Sequence, residues 1–228
     1  MEAYLLIALF AGIVSMDTTS GPQFMISEPI VSCPVIGYIL GMPETGLTMG
    51  IFFQLLWLGY LPLGTVHFID SNMAAFISTV SLVTAKKFFV FDGVHSTAAF
   101  IAATLFGVAV GFIGMKATTY ERKLNCDRFE RLSFIEATGS GKLIRLHFKG
   151  IASAFTKGLI LFLLLVPIGT ILIGSVTLFK NLDPDKINFA EILIWGAVPA
   201  SAILFFLSKG KSRYIATGVI GGLLSILL

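Results

Sequence analysis

Residues 29–61 read PIVSCPVIGYILGMPETGLTMGIFFQLLWLGYL, and two interruptions in this apolar stretch decide the fold. A helix that spans the hydrocarbon core of a bilayer needs about 20 mostly apolar residues, roughly 17 to 25. The run Pro29 to Leu40 stops at Gly41, Met42 and Pro43, a helix-ending combination. The run Gly46 to Leu61 carries Gln54 in its middle and closes with Gly59, Pro62 and Gly64. Both pieces are short for an ordinary span. Broken or re-entrant helices persist at membrane depth only where protein or a water-filled cavity satisfies the freed backbone groups. A polar pathway is therefore expected within residues 29–72. The expected fold class is an all-α polytopic membrane protein with short broken or re-entrant helices in its N-terminal half.

The rest of the composition agrees. Of 228 residues, 56% are apolar and 13% charged, with a mean hydropathy of +0.91, against about 25% charged in a soluble domain. The net charge is +3, but eight of the sixteen Lys and Arg residues fall between Lys116 and Lys149. A basic excess confined to one inter-segment stretch is a topology signal that marks the cytoplasmic side, and it argues against a nucleic-acid partner. Cys33 lies in an apolar run and Cys126 in the charged stretch. Without a CxxC pair or a nearby ligand cluster, neither a disulfide nor a metal site is expected, nor is any cofactor.

Working outward, Ala3 to Met16 reads as a retained membrane segment, followed by a polar connection, Asp17 to Glu28, placed at an interface or in a water-lined cavity. Runs 72–85 and 97–115 are helical and rich in Ala, Gly and Phe, and small residues such as Gly107, Gly111 and Gly114 favour close helix packing. The interval 116–149 reads as amphipathic helices on the cytoplasmic membrane surface, with a break at Gly139, Ser140 and Gly141. Runs 158–179, 192–207 and 215–228 complete the chain, with a basic turn at Lys209, Lys211 and Arg213. Lys86 and Lys87 sit awkwardly, because two simple spans place them outside. One membrane domain, residues 1–228, is the economical count.

No Walker loop, Gly-x-Ser-x-Gly, His-Glu-x-x-His or Gly-x-Gly-x-x-Gly is present, so no self-contained catalytic site is expected. Ionisable or polar groups in apolar membrane segments are costly, which selects Asp17, Gln54, Asp70 and Asn72 as candidate ligand-binding residues. Each also has a plainer reading. Asp17 ends the first run and serves equally as a helix-end residue; Asp70 with Asn72 reads as an N-cap. Glu28 fits the start of a helix, where the dipole favours an acid. Gln54, with two donors and an acceptor, bonds either a neighbouring helix or a polar ligand. His67 and His95 read as loop or packing histidines, and Trp57, Tyr60 and Trp195 as packing or interfacial aromatics.

The series Ser27-Glu28-Pro29-Ile30-Val31, Gly37-Tyr38-Ile39-Leu40-Gly41, Thr45-Gly46-Leu47-Thr48-Met49-Gly50, Gln54-Leu55-Leu56-Trp57-Leu58-Gly59, Leu63-Gly64 and Asp70 resembles the N-terminal pattern of membrane subunit IIC in the mannose/fructose/sorbose family of the bacterial phosphotransferase system. The motif covers a third of the chain and the segment plan nearly all of it. The resemblance implies a hexose-type sugar bound within the bacterial cytoplasmic membrane, a IID membrane partner, cytoplasmic IIA and IIB phosphocarriers, and an oligomeric assembly in lipid. It implies no phosphorylated residue in this chain. Two departures from the pattern matter most: the family usually carries glutamate at the position of Gln54 and a basic residue at that of Glu28. The usual prolines before the aspartate are also absent, with Phe68-Ile69 in their place. The weaker hydrogen-bond acceptor at position 54 leaves a second reading open, a non-transporting membrane scaffold or regulator that keeps the fold.

Overall fold

The computed structural model describes residues 2–21, 23–58, 69–133, 140–179 and 181–207. The readings placed on Gly59, Tyr60, Pro62, Gly64 and His67, on Gly139, on the basic turn 209–213 and on the run 215–228 lie outside them. Among the described residues the chain is all helix: α1 (Glu2–Thr19), α2 (Pro29–Ile39), α3 (Pro43–Trp57), α4 (Ser71–Phe88), α5 (Gly93–Ser133), α6 (Ser140–Gly174), a 3-10 turn (Ser175–Leu178) and α7 (Pro184–Leu207). Segments within α1, α5 and α6 are long and apolar enough to cross a membrane. This is the architecture of a membrane protein with additional short apolar helices.

The stop at residues 41–43 makes a hairpin. Pro29 and Pro43 open α2 and α3 at their first turns, where the missing N–H costs nothing. Gly41 takes φ +75° between them, a conformation that favours glycine. The two helices lie so close that a Cβ on Gly37 would come within 2.9 Å of the Gly46 Cα. At 11 and 15 residues, they reach only about 16 and 22 Å at 1.5 Å per residue. At their far ends Gln54 of α3 meets Ile30 at the start of α2, so the hairpin returns to the level it started from.

Helix α4 is the axis of the bundle. Every residue from Asn72 to Ala85 is buried, and α1, α2, α3, α5 and α6 all pack against it. Its polar content fits this position, since hydroxyls inside a bundle bond neighbouring backbones instead of facing lipid. Ser78 donates to the Ala103 carbonyl and Ser81 to that of Val166 at 3.4 Å, while Thr84 accepts from Tyr4 of α1 at 3.2 Å. The last turn of α4 holds Lys86 and Lys87; Lys86 reaches Thr45 of α3. His95 of α5 contacts the Phe179 carbonyl after the 3-10 turn, at the end of the bundle that also holds Lys86, Lys87 and Tyr4. The opposite end carries Asp17, Asp70, Thr118 and Lys157.

Residues 97–115 and the basic stretch after them form one helix. No Gly-Pro stop separates them, and surface charges do not end a helix whose buried face continues. Thus α5 and α6 both extend past the bundle, where separate surface helices were expected. Both cysteines are free, Cys33 buried and Cys126 exposed, as their settings in the sequence suggested.

Candidate functional site

Five segments converge on a cavity of about 400 Å³ at the basic end of the bundle. Asp17, Gln54, Asp70 and Asn72 all line it, together with Ser27 and Glu28. Residues more than 50 positions apart thus share one polar space because α1, the α2–α3 hairpin and α4 all turn at this level.

Asp17, buried in the last turn of α1, accepts from the backbone N–H of Phe24 at 2.7 Å and of Ser27 at 3.1 Å. It therefore clamps the connection to α2. Within that connection Gln23 and Met25 hold φ values of 55° and 62°, a left-handed conformation that costs a side-chain-bearing residue about 1–2 kcal/mol. Asp17 supports a strained wall of the cavity and keeps further acceptor capacity, because a carboxylate offers about four lone-pair sites.

Gln54 divides its amide between two partners. Its Oε1 accepts from the Ile30 N–H at 3.2 Å, one of the free donors in the first turn of α2, and its Nε2 donates to Glu28 Oε2 at 3.0 Å. The Glu28 side chain makes no capping bond to its own helix, although the residue occupies the N-cap position that the sequence suggested.

Asp70 is the N-cap of α4, its Oδ1 accepting from Met73 N–H at 3.1 Å. The plain reading of this residue therefore holds, and the cap itself lies in the cavity wall. A Cβ on Gly114 would come within 2.6 Å of the Asp70 Cβ, so glycine lets α5 approach and bring Thr118 alongside. Thr118 donates to Asp70 Oδ2 at 3.4 Å. Asn72 donates from Nδ2 to Ser27 Oγ at 2.9 Å and to Thr18 Oγ1 at 3.4 Å. Trp57 also lines the cavity, whereas Trp195 stacks on Phe100 with centroids 5.6 Å apart and serves packing.

Behind the wall lies a pair that inspection of the apolar runs missed. Lys157 Nζ donates to Thr118 Oγ1 at 2.9 Å and lies 3.2 Å from Glu121 Oε2, with side-chain exposures of 8% for Lys157 and 6% for Glu121. The signal was a lone lysine between Ile151 and Phe179, but a run started at Gly158 leaves it just outside.

The lining offers three carboxylates, three amides and several hydroxyls, with the exposed Arg122 as its one cation among the described residues. Many directed donors and acceptors beside apolar faces such as Trp57 and Ile69 suit a neutral polyhydroxylated ligand.

The family model of the phosphotransferase system sorbose-specific IIC component matches residues 2–187. The chain belongs to that family. It is 30% identical over 83 residues to the sorbose-specific EIIC component of Lacticaseibacillus casei, an alignment covering 36% of this chain and 30% of that protein. To the fructose permease IIC component of Bacillus subtilis it is 31% identical over 83 residues, covering 36% and 29%. The alignments thus span about three-tenths of these relatives. A solved structure described as a membrane protein superposes with a TM-score of 0.66 at 18% identity, covering 100% of this chain and 94% of that one, a likeness of fold alone. Membership of the IIC family agrees with the all-helical, apolar architecture described above.

Proposed function

We propose that this IIC-family chain binds a hexose-type sugar in the cavity at Gln54, Asp70, Asn72 and Asp17 and carries it across the bacterial cytoplasmic membrane. It does so as a multi-pass subunit of a phosphoenolpyruvate-dependent phosphotransferase system. A single observation carries the reading: four residues selected for their polarity in apolar segments line one space of about 400 Å³, a volume in the range of small-molecule sites. Gln54 and Asp70 are the principal hydroxyl partners, through an amide and a carboxylate. Asn72 and Asp17 hold the opposite wall and contribute secondary contacts. Chemistry on the sugar belongs to IIA and IIB phosphocarriers, and a IID subunit completes the membrane assembly. The cluster of Lys and Arg residues at the cavity end supports a cytoplasmic orientation for that end by the positive-inside rule.

Glu28 bears on the alternative of a non-transporting scaffold. The carboxylate that position 54 lacks is supplied 3.0 Å away by Glu28, so the cavity keeps a strong acceptor at this corner. The test is uptake of a panel of radiolabelled hexoses in cells expressing this chain with and without a IID partner and the phosphocarriers. Partner-dependent accumulation of sugar phosphate is expected. Absence of uptake of every sugar, with all subunits verified in the membrane, would assign the chain to the scaffold reading.

A further inference from the structure

A second recess, of about 680 Å³, lies between α5 and α6 on the side of the Lys157–Glu121 pair away from the sugar cavity. Its lining changes character along the helices. Ile160 and Leu161 form the part nearest the membrane-crossing segment, Tyr120 and Ser153 follow, and Arg128 and Lys149 close the far part. Glu121 is already matched by Lys157, and among the described residues no carboxylate pairs with Arg128 or Lys149. The recess therefore keeps two uncompensated positive charges over an apolar floor.

We infer that this recess holds the head group of an anionic phospholipid, with its phosphate between Arg128 and Lys149 and its acyl chains running down α6. Charge complementarity argues for the anion. Continuity with the bilayer argues for a lipid as its source: Ile160 is 51% exposed, and Leu163 and Leu164, one turn further into the membrane, are each 61% exposed. These side chains prolong the floor of the recess along a surface that only lipid or another apolar surface can cover. The direction of the arginine fits as well. Side chains on a helix lean toward its N-terminus, which for α5 is the bilayer side, and Arg128 donates to Asn125 at 3.0 Å, one turn nearer the membrane. Basic pockets between membrane helices on the cytoplasmic side are a recurrent form of head-group site. The inference does not rest on sugar binding.

The test uses the full chain purified in a mild detergent, with bound lipid counted by native mass spectrometry after exchange against phosphatidylglycerol or phosphatidylcholine. Phosphatidylglycerol should be retained preferentially, and Arg128→Gln with Lys149→Gln should abolish the preference, at about five-fold in affinity per cation removed. The control is Lys116→Gln with Lys123→Gln, which removes the same charge from exposed positions outside the recess and should leave the preference intact. Circular dichroism checks that each variant is folded, and Lys149→Gln alone, an exposed substitution, should give half the effect. Equal retention of the two lipids would overturn the inference, as would equal losses in both double variants. Complete displacement by millimolar inorganic phosphate would assign the recess to free phosphate, and capture of polyglutamate without lipid preference would assign it to an acidic protein; either overturns the lipid.

Discussion

Gln54 and Glu28 are hydrogen-bonded to each other at 3.0 Å, and both are positions at which the chain departs from the family pattern it resembles. In this chain the pair joins the two helices of the hairpin, with Gln54 as donor and Glu28 as acceptor. Gln54→Glu alone sets two carboxylates within about 3 Å, where both resist being charged together, and should lower both sugar affinity and melting temperature. Adding Glu28→Arg should restore them through an ion pair. Gln54→Leu removes the partner of the half-buried Glu28 carboxylate and of the Ile30 N–H, and should abolish uptake. Unchanged uptake in Gln54→Leu would count against the cavity as the sugar site.

Asp70 caps α4, and one substitution separates that role from the proposed contact with sugar. Asn and Asp cap helices about equally well, whereas Ala costs about 1 kcal/mol. Asp70→Asn should therefore leave the melting temperature of the purified protein close to wild type. Sugar affinity should fall about ten-fold, since hydrogen bonds to a charged acceptor are roughly twice as strong as neutral ones. Asp70→Ala should lose both. Equal affinity in Asp70→Asn and wild type would leave Asp70 as a cap only.

The other end of the bundle carries a pH-dependent tether. Asp92, in the α4–α5 connection, accepts from the backbone N–H of His95 at 3.0 Å and from its ring at 2.5 Å, and these bonds hold its carboxyl below the ordinary value of 3.8. A carboxyl lowered on folding stabilises the fold above its unfolded value, and this contribution is lost as pH falls through the lower folded value. Asp92→Asn should melt below wild type at neutral pH, and the difference should shrink as the pH is taken below about 3.8.

The hairpin was legible because its signals are local: Pro29, Gly41 and Pro43 act on their own backbone, and the structure starts and turns its helices there. The candidate cavity was legible in its members, since Asp17, Gln54, Asp70 and Asn72 each stand out in apolar surroundings. Their partners were not. The Gln54–Glu28 bond depends on how α2 and α3 meet across 26 residues of chain, and the Thr118 bond to Asp70 on a glycine contact between α4 and α5. The basic stretch misled for a physical reason: lysines and arginines on one face of a helix say where water is, and α5 passes through that boundary without ending.

Lys157 and Glu121 give the sharpest test of how the cavity wall is held. Removing one member of a buried ion pair leaves the other charge uncompensated, at about 3–5 kcal/mol, whereas replacing both with apolar residues of similar volume is often neutral. Lys157→Met should therefore destabilise strongly, and Lys157→Met with Glu121→Leu should recover most of the loss in thermal melting. Sugar affinity should not recover in parallel, because the double variant still lacks the ammonium that donates to Thr118, whose hydroxyl in turn donates to Asp70. Thr118→Val, which leaves the ion pair in place, should reproduce that loss of affinity in an otherwise stable protein, and Thr118→Ser should restore it. Wild-type affinity in both Thr118→Val and the recovered double variant would reduce Lys157 to a packing element of the α5–α6 contact.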